Sequence, residues 1–163
     1  MTTVNDQTEP VNTQYLEQAV QLALDNVEDG EEPFGAVVVR DGEVLGTGVN
    51  TTRRDSDPTS HAEIAAVRDA CRRLGTRYLP EAAVISSCEP CPMCLATCAA
   101  ASIARVVYAA PKDAVPDFGS PPRPLLKAMR EPLYRVAGDY ARHVPIPGAE
   151  RPFARWAETT GRA

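Results

Sequence analysis

Two short polar motifs constrain this chain more than its overall composition does: Ser60-His61-Ala62-Glu63, and Cys88-Glu89-Pro90-Cys91-Pro92-Met93-Cys94 with Cys98 just beyond. Each stands where an apolar pattern begins, so each is expected to open a helix. Ser60 as N-cap, with Glu63 three residues on, has the form of a capping box, and Ile64, Ala65, Val67, Ala70 and Leu74 then recur at helical spacing until Gly75. Pro92 stands where a helix tolerates a missing N–H, which predicts a second helix from Pro92 to Ser102. Cys91 and Cys94 would present two sulfurs on one side of that helix start, where the N-terminal dipole favours thiolates. A fold that sets these two helix starts side by side collects a His61, Cys91, Cys94 metal site with Glu63 next to it.

The remaining pattern describes one domain over residues 1–163, a length and a 44% hydrophobic content sufficient to bury a core without disulfides. Tyr15, Leu16, Ala19, Val20, Leu22, Ala23 and Val27 predict an amphipathic helix over Thr13 to Glu28, stopped by Asp29-Gly30. Phe34 to Arg40 and Val44 to Val49 flank Asp41-Gly42, a tight-hairpin dipeptide, and should pair antiparallel. Ala82 to Ser86 and Ala104 to Ala110 read as strands that alternate with the helices after Ser60, which predicts parallel pairing in a layered α/β domain. Beyond Pro111 the pattern weakens. Pro116 to Pro124 holds four of the fifteen prolines and reads as a loop; a short helix over Pro124 to Arg130, a strand over Tyr134 to Ala137 and a terminal helix over Arg151 to Thr159 are expected after it.

Composition narrows the function classes. Met1 to Gln14 is polar and carries Asp6 and Glu9, so neither a signal peptide nor a membrane span is expected and the chain reads as soluble and cytoplasmic. Four of the five cysteines crowd between Cys88 and Cys98, which suits metal or redox chemistry in a reducing compartment. A net charge of −5 disfavours a large nucleic-acid surface.

Several readings compete for the cysteines. Cys88, Cys91, Cys94 and Cys98 have the spacing of bacterial iron–sulfur ferredoxins, although Ala99 stands where a proline follows there and His61 and Glu63 are left unexplained. A closed structural zinc site, with Cys88 or Cys98 as fourth ligand, is another reading; otherwise Cys71, Cys88 and Cys98 are small buried hydrophobes. An open three-ligand site uses all the residues present. Zinc with one free position lowers the pKa of bound water to about 7, and Glu63 stands close enough to take that water's proton.

Together the motifs have the form H-x-E…P-C-x-x-C, the signature of zinc deaminases. Pro33-Phe-Gly-Ala-Val-Val-Val, Asp57-Pro-Thr-Ser-His-Ala-Glu-Ile and Ser87-Cys-Glu-Pro-Cys-Pro-Met-Cys resemble the cytidine and deoxycytidylate deaminase superfamily, most of all its bacterial guanine deaminases, over roughly Tyr15 to Ala110. The resemblance implies a three-layer α/β/α fold with a central five-stranded mixed sheet, one Zn2+ per chain, and a homodimer. In it the divergent residues 110–163 would close a partner's active site. It also implies that Asn50 contacts the base, Phe34 stacks on it, and the Ala62 N–H meets a ring carbonyl. Glu89 would orient the metal shell or play a solvated structural part.

The resemblance weakens after the metal motifs. Guanine deaminases carry an acidic pair after a phenylalanine, whereas this chain reads Val115-Pro-Asp-Phe-Gly-Ser-Pro-Pro, leaving Asp117 as a substitute on the other side of Phe118. Glu150-Arg-Pro-Phe-Ala-Arg-Trp156 resembles the C-terminal segment that covers the base, with Glu150 as candidate acid and Trp156 as candidate aromatic. The implied reaction is hydrolytic deamination of a small aminated nucleobase or nucleoside with loss of ammonia. Guanine is the first choice; cytosine, guanosine, an s-triazine, or adenosine in tRNA are alternatives, and a non-catalytic zinc-fold binding module is the reading from another class. For the tRNA reading, Arg53, Arg54, Arg68, Arg72, Arg73 and Arg77 would supply a basic patch.

Overall fold

A computed structural model describes residues 12–119 and 121–161; most of the polar Met1 to Gln14 segment lies outside them. The architecture is a five-stranded mixed sheet between helices. The chain runs α1 (Thr13–Glu28), β1 (Gly35–Arg40), β2 (Glu43–Val49), α2 (Thr52–Asp55), α3 (Ala62–Leu74), β3 (Ala83–Cys88), α4 (Pro92–Ala100) and β4 (Arg105–Ala110), then α5 (Pro124–Ala137), β5 (Ala141–His143) and α6 (Arg151–Thr160). The sheet order is β2-β1-β3-β4-β5, with β1 antiparallel to β2 and β3, and β3, β4 and β5 parallel. The hairpin turns at Asp41 and Gly42, both at positive φ, as their dipeptide predicts.

Strand residues alternate between two cores, which is why the central strands read as unbroken apolar runs. Ala36, Val38, Val84, Val106 and Tyr108 face α3 and α4, while Val37, Val39, Ile85, Val107 and Ala109 face the side covered by α1 and α6. Two glycines set how closely α3 lies on β2. A Cβ on Gly48 would overlap the backbone of Ala62 and Ala66, and one on Gly46 would overlap that of Ala66 and Ala70. The first turn of α3 therefore rests directly on the sheet, and so does the His61 motif it carries. Among the described residues no helix is long and apolar enough to cross a membrane.

The C-terminal part differs from the sequence reading in one element. Tyr134 to Ala137 is not a strand: α5 continues through it to Ala137, and the fifth strand is Ala141–His143. Leu126, Arg130, Leu133, Tyr134 and Ala137 are the half-buried positions of α5, a helical period that runs past Arg130. Pro132 inside the helix argues against continuity, but it lies on the exposed side while Leu133 and Tyr134 pack on the core.

Candidate metal centre and active-site cleft

The loop before α3 is tied down by Asp57, whose carboxylate accepts from Thr59 N–H at 2.8 Å and the Thr59 hydroxyl at 2.7 Å. Ser60 Oγ also turns to Asp57, at 3.2 Å, instead of capping the helix; the N-cap is His61, in extended conformation and without a side-chain cap bond. The expected capping box is therefore absent. Both of its side chains have other partners, and Glu63 turns inward, where it is buried. Its Oε1 accepts from Ser86 Oγ at 2.9 Å, and Cys94 Sγ donates to its Oε2 at 3.2 Å. Burial raises the Glu63 carboxyl above its ordinary range, since a charge there has little solvent.

Cys91 is the N-cap of α4 and Cys94 lies in its first turn. Their sulfurs are 3.5 Å apart, and His61 Nδ1 is 3.6 Å from Cys91 Sγ and 3.5 Å from Cys94 Sγ. A tetrahedral zinc with ordinary Zn–S and Zn–N bonds requires edges of about 3.8 Å between sulfurs and about 3.6 Å between sulfur and nitrogen. The residues fit zinc to within a few tenths of an ångström. The contact with Cys94, with His61 alongside, holds the Cys91 thiol down at about 4, whereas that same contact and burial push the Cys94 thiol up. Burial draws the His61 imidazole down, but its contact with Cys91 outweighs this and raises it.

The other cysteines stand apart. Cys88 belongs to the α1 side of the core and Cys98 to the α3 side, and burial pushes Cys88 up to about 12 and Cys98 higher still. Among the described residues, His61, Cys91 and Cys94 form the one group of metal-ligating side chains, which sets aside the iron–sulfur spacing. Neither Cys88 nor Cys98 joins it as the fourth ligand of a closed site.

A cavity of about 660 Å3 opens beside this centre, within the size range of small-molecule sites. His61, Ala62, Glu63, Cys91, Asn50, Phe34 and Asp117 line it, while Cys94 lies buried behind. Asn50 Oδ1 accepts from Thr52 N–H at 3.1 Å and the Thr52 hydroxyl at 2.9 Å, which leaves its amide nitrogen for the cavity. Phe34 meets Phe118 edge-on at 5.5 Å. Asp117 Oδ1 accepts from Gly119 N–H at 2.8 Å.

Two expected residues are elsewhere. Trp156 packs on Phe118 at 4.4 Å from behind, off the cavity surface, and Glu150 is the exposed N-cap of α6. In this single chain α6 lies against its own α1, joined by Arg155 to Glu28 at 2.6 Å. Glu89 does not reach the ligands. It is gripped by Arg130 of α5 through two 2.8 Å hydrogen bonds and accepts a third from Lys112 N–H at 3.0 Å. Tyr134 of the same helix donates to the Pro90 carbonyl at 2.8 Å.

The sequence reading missed Arg130, Glu32 and the buried Asn26. Arg130 gave no signal, because its partner is far along the chain. Asn26 did: it is a polar residue on the apolar stripe of α1, between Ala23 and Val27. Its Nδ2 donates to both the Glu32 carbonyl at 2.7 Å and the Asn50 carbonyl at 2.8 Å.

The fold and the His/Cys/Cys centre define a zinc-binding α/β class, and the comparisons agree. The model of the cytidine and deoxycytidylate deaminase zinc-binding region matches residues 10–110, and the chain belongs to that family. It is 45% identical to guanine deaminase of Bacillus subtilis (strain 168) over 97 residues, 59% of this chain and 62% of that protein. It is 42% identical to a tRNA-specific adenosine deaminase of Agrobacterium fabrum over 109 residues, 66% of this chain and 72% of that one. The X-ray structure of guanine deaminase from Bacillus subtilis superposes with a TM-score of 0.62 at 31% identity, covering 91% of this chain and 95% of that one. The sequence match thus spans about three fifths of the guanine deaminase, and the structural match extends beyond it.

Proposed function

We propose that this chain is a zinc-dependent aminohydrolase acting on a small aminated nucleobase or nucleoside, with guanine the first choice. The observation that carries the reading is the buried Glu63 carboxyl on the cavity wall beside a His/Cys/Cys set with zinc dimensions. His61, Cys91 and Cys94 would hold one Zn2+, whose Lewis acidity would make water nucleophilic at neutral pH. Glu63 accepts a proton from the attacking water and passes it to a ring nitrogen, then takes the second proton from the newly added hydroxyl and gives it to the departing amine, so that base–NH2 and water become the carbonyl base and ammonia. Ser86 donates to one of its oxygens and holds it in place. Phe34 stacks on the ring, the Asn50 amide donates to a base acceptor, and the Ala62 N–H, which helix α3 cannot pair internally, donates to a ring carbonyl.

Ammonia release measured over guanine, guanosine, cytosine, cytidine, adenine and s-triazines, together with zinc content, tests the reading. Turnover of guanine is expected, and Glu63→Ala should lower it by about 10²- to 10⁴-fold. A zinc-free active protein, full activity in Glu63→Ala, or no ammonia from any base would overturn it. The last result would leave a tRNA substrate or a binding module. A tRNA adenosine substrate is the second reading, favoured by Lys112, Arg123 and Lys127 on the cavity lining and by the Agrobacterium relative; it requires salt-sensitive tRNA binding. A homodimer is proposed with either, and light scattering at the mass of one chain would exclude it.

A further inference from the structure

Glu32 stands on the cavity lining two residues before Phe34, half-buried, and no hydrogen bond or ion pair among the described residues occupies its carboxylate. The neighbouring carboxylates differ. Glu89 is held by Arg130, Asp117 folds back onto Gly119, Glu63 is engaged by Ser86 and Cys94, and Asp113, also on the lining, is exposed. The backbone of Glu32 is fixed by two donors, Asn26 Nδ2 at 2.7 Å and Phe34 N–H at 2.8 Å, both to its carbonyl. Because the same Asn26 nitrogen holds the Asn50 carbonyl, one buried side chain sets Glu32 and Asn50 side by side from behind the wall.

The pair has complementary chemistry. Asn50 has its oxygen committed to Thr52 and presents an amide donor, while an ionised carboxylate only accepts. A donor beside an acceptor matches a base edge that carries an acceptor beside a ring N–H. Guanine has such an edge at its carbonyl and N1–H, and free cytosine at its carbonyl and N1–H. We propose that Glu32 is a specificity residue of the deaminase site, accepting a hydrogen bond from a ring N–H of the substrate base. The assignment rests on the deaminase reading and deepens it.

The test compares kcat/KM for guanine, 1-methylguanine and 9-methylguanine in the zinc-loaded wild type, Glu32→Gln and Glu32→Ala; cytosine and 1-methylcytosine take their place if cytosine is the base turned over. The wild type should lose about ten- to a hundredfold on the analogue whose methyl group removes the recognised N–H. Glu32→Ala should lose a similar factor on the parent base and little more on that analogue, because the hydrogen bond is already gone. Glu32→Gln, which keeps an acceptor oxygen, should fall between. Equal losses on all analogues, or an unchanged methyl discrimination in Glu32→Ala, overturn the role of Glu32 and leave the deaminase reading standing. Absence of ammonia from every base in the wild type overturns both.

Discussion

Residues 12–110 and helix α5 build different sides of the same cleft by different physics. In the first region the metal centre is an extension of the core. α3 lies on Gly46 and Gly48, α4 follows directly from the buried strand β3, and His61, Cys91 and Cys94 stand at the two helix starts. In the second region α5 has no fully buried residue, and Leu125 and Val136 are 74% and 85% exposed. It is fastened mainly by the Arg130 to Glu89 pair and the Tyr134 to Pro90 bond, both made to the loop that carries Cys91. The candidate metal ligands are thus held by close packing, which permits little displacement. The wall of the cleft hangs on a few polar contacts, which a small number of substitutions could re-aim.

The contrast can be broken at several points. The largest effect should come from the metal: a strong chelator is expected to abolish ammonia release and to lower the melting temperature by several degrees, because ligand binding to the folded state adds directly to its stability. Calorimetry with and without zinc measures this, and an unchanged melting curve would separate the centre from the core. Next is Gly48→Ala. The added methyl would force α3 off β2, and a loss of about 1–3 kcal/mol in a urea titration is expected, together with lower kcat.

A smaller effect is expected from Arg130→Met, which leaves the Glu89 carboxylate, only 6% exposed, without its cation. Arg130 itself is 40% exposed, so solvent screens the pair and the cost should be about 1–2 kcal/mol. KM should rise more than kcat falls if α5 serves the wall and not the metal. The smallest effect belongs to Arg155 and Glu28 at the junction of α6 and α1. The Arg155 hydrogen bond lowers the Glu28 carboxyl from its ordinary value, so its contribution is present above the unfolded pKa and is lost as pH falls through the lowered folded value. Both side chains are exposed, so Arg155→Met should shift an acid titration near the limit of detection, and a large shift would show that α6 is held more tightly than its surface contacts suggest.

Legibility in the sequence follows the same division. Apart from the four-residue α2, the elements up to Ala110 were readable because each has a period, a cap or a turn dipeptide of its own: the α1 stripe, Asp41-Gly42, and Pro92 after Cys91. The capping box misled at Ser60, since a local motif cannot show that Asp57 competes for the serine or that Glu63 has a partner on β3. In α5, Pro132 hid a helical period whose buried side is recognisable only against the core.

The sequence by itself named the candidate donor set: residue type and spacing suffice to single out His61, Cys91, Cys94 and Glu63, since metal affinity and proton transfer are chemical properties of such side chains. Only the tertiary structure decided what surrounds them. It separated Cys88 and Cys98 into opposite cores, moved Glu150 and Trp156 off the cavity, and set Glu32 beside Asn50 through Asn26. These are distances between residues far apart along the chain. They depend on how closely helices rest on the sheet, which no local pattern encodes.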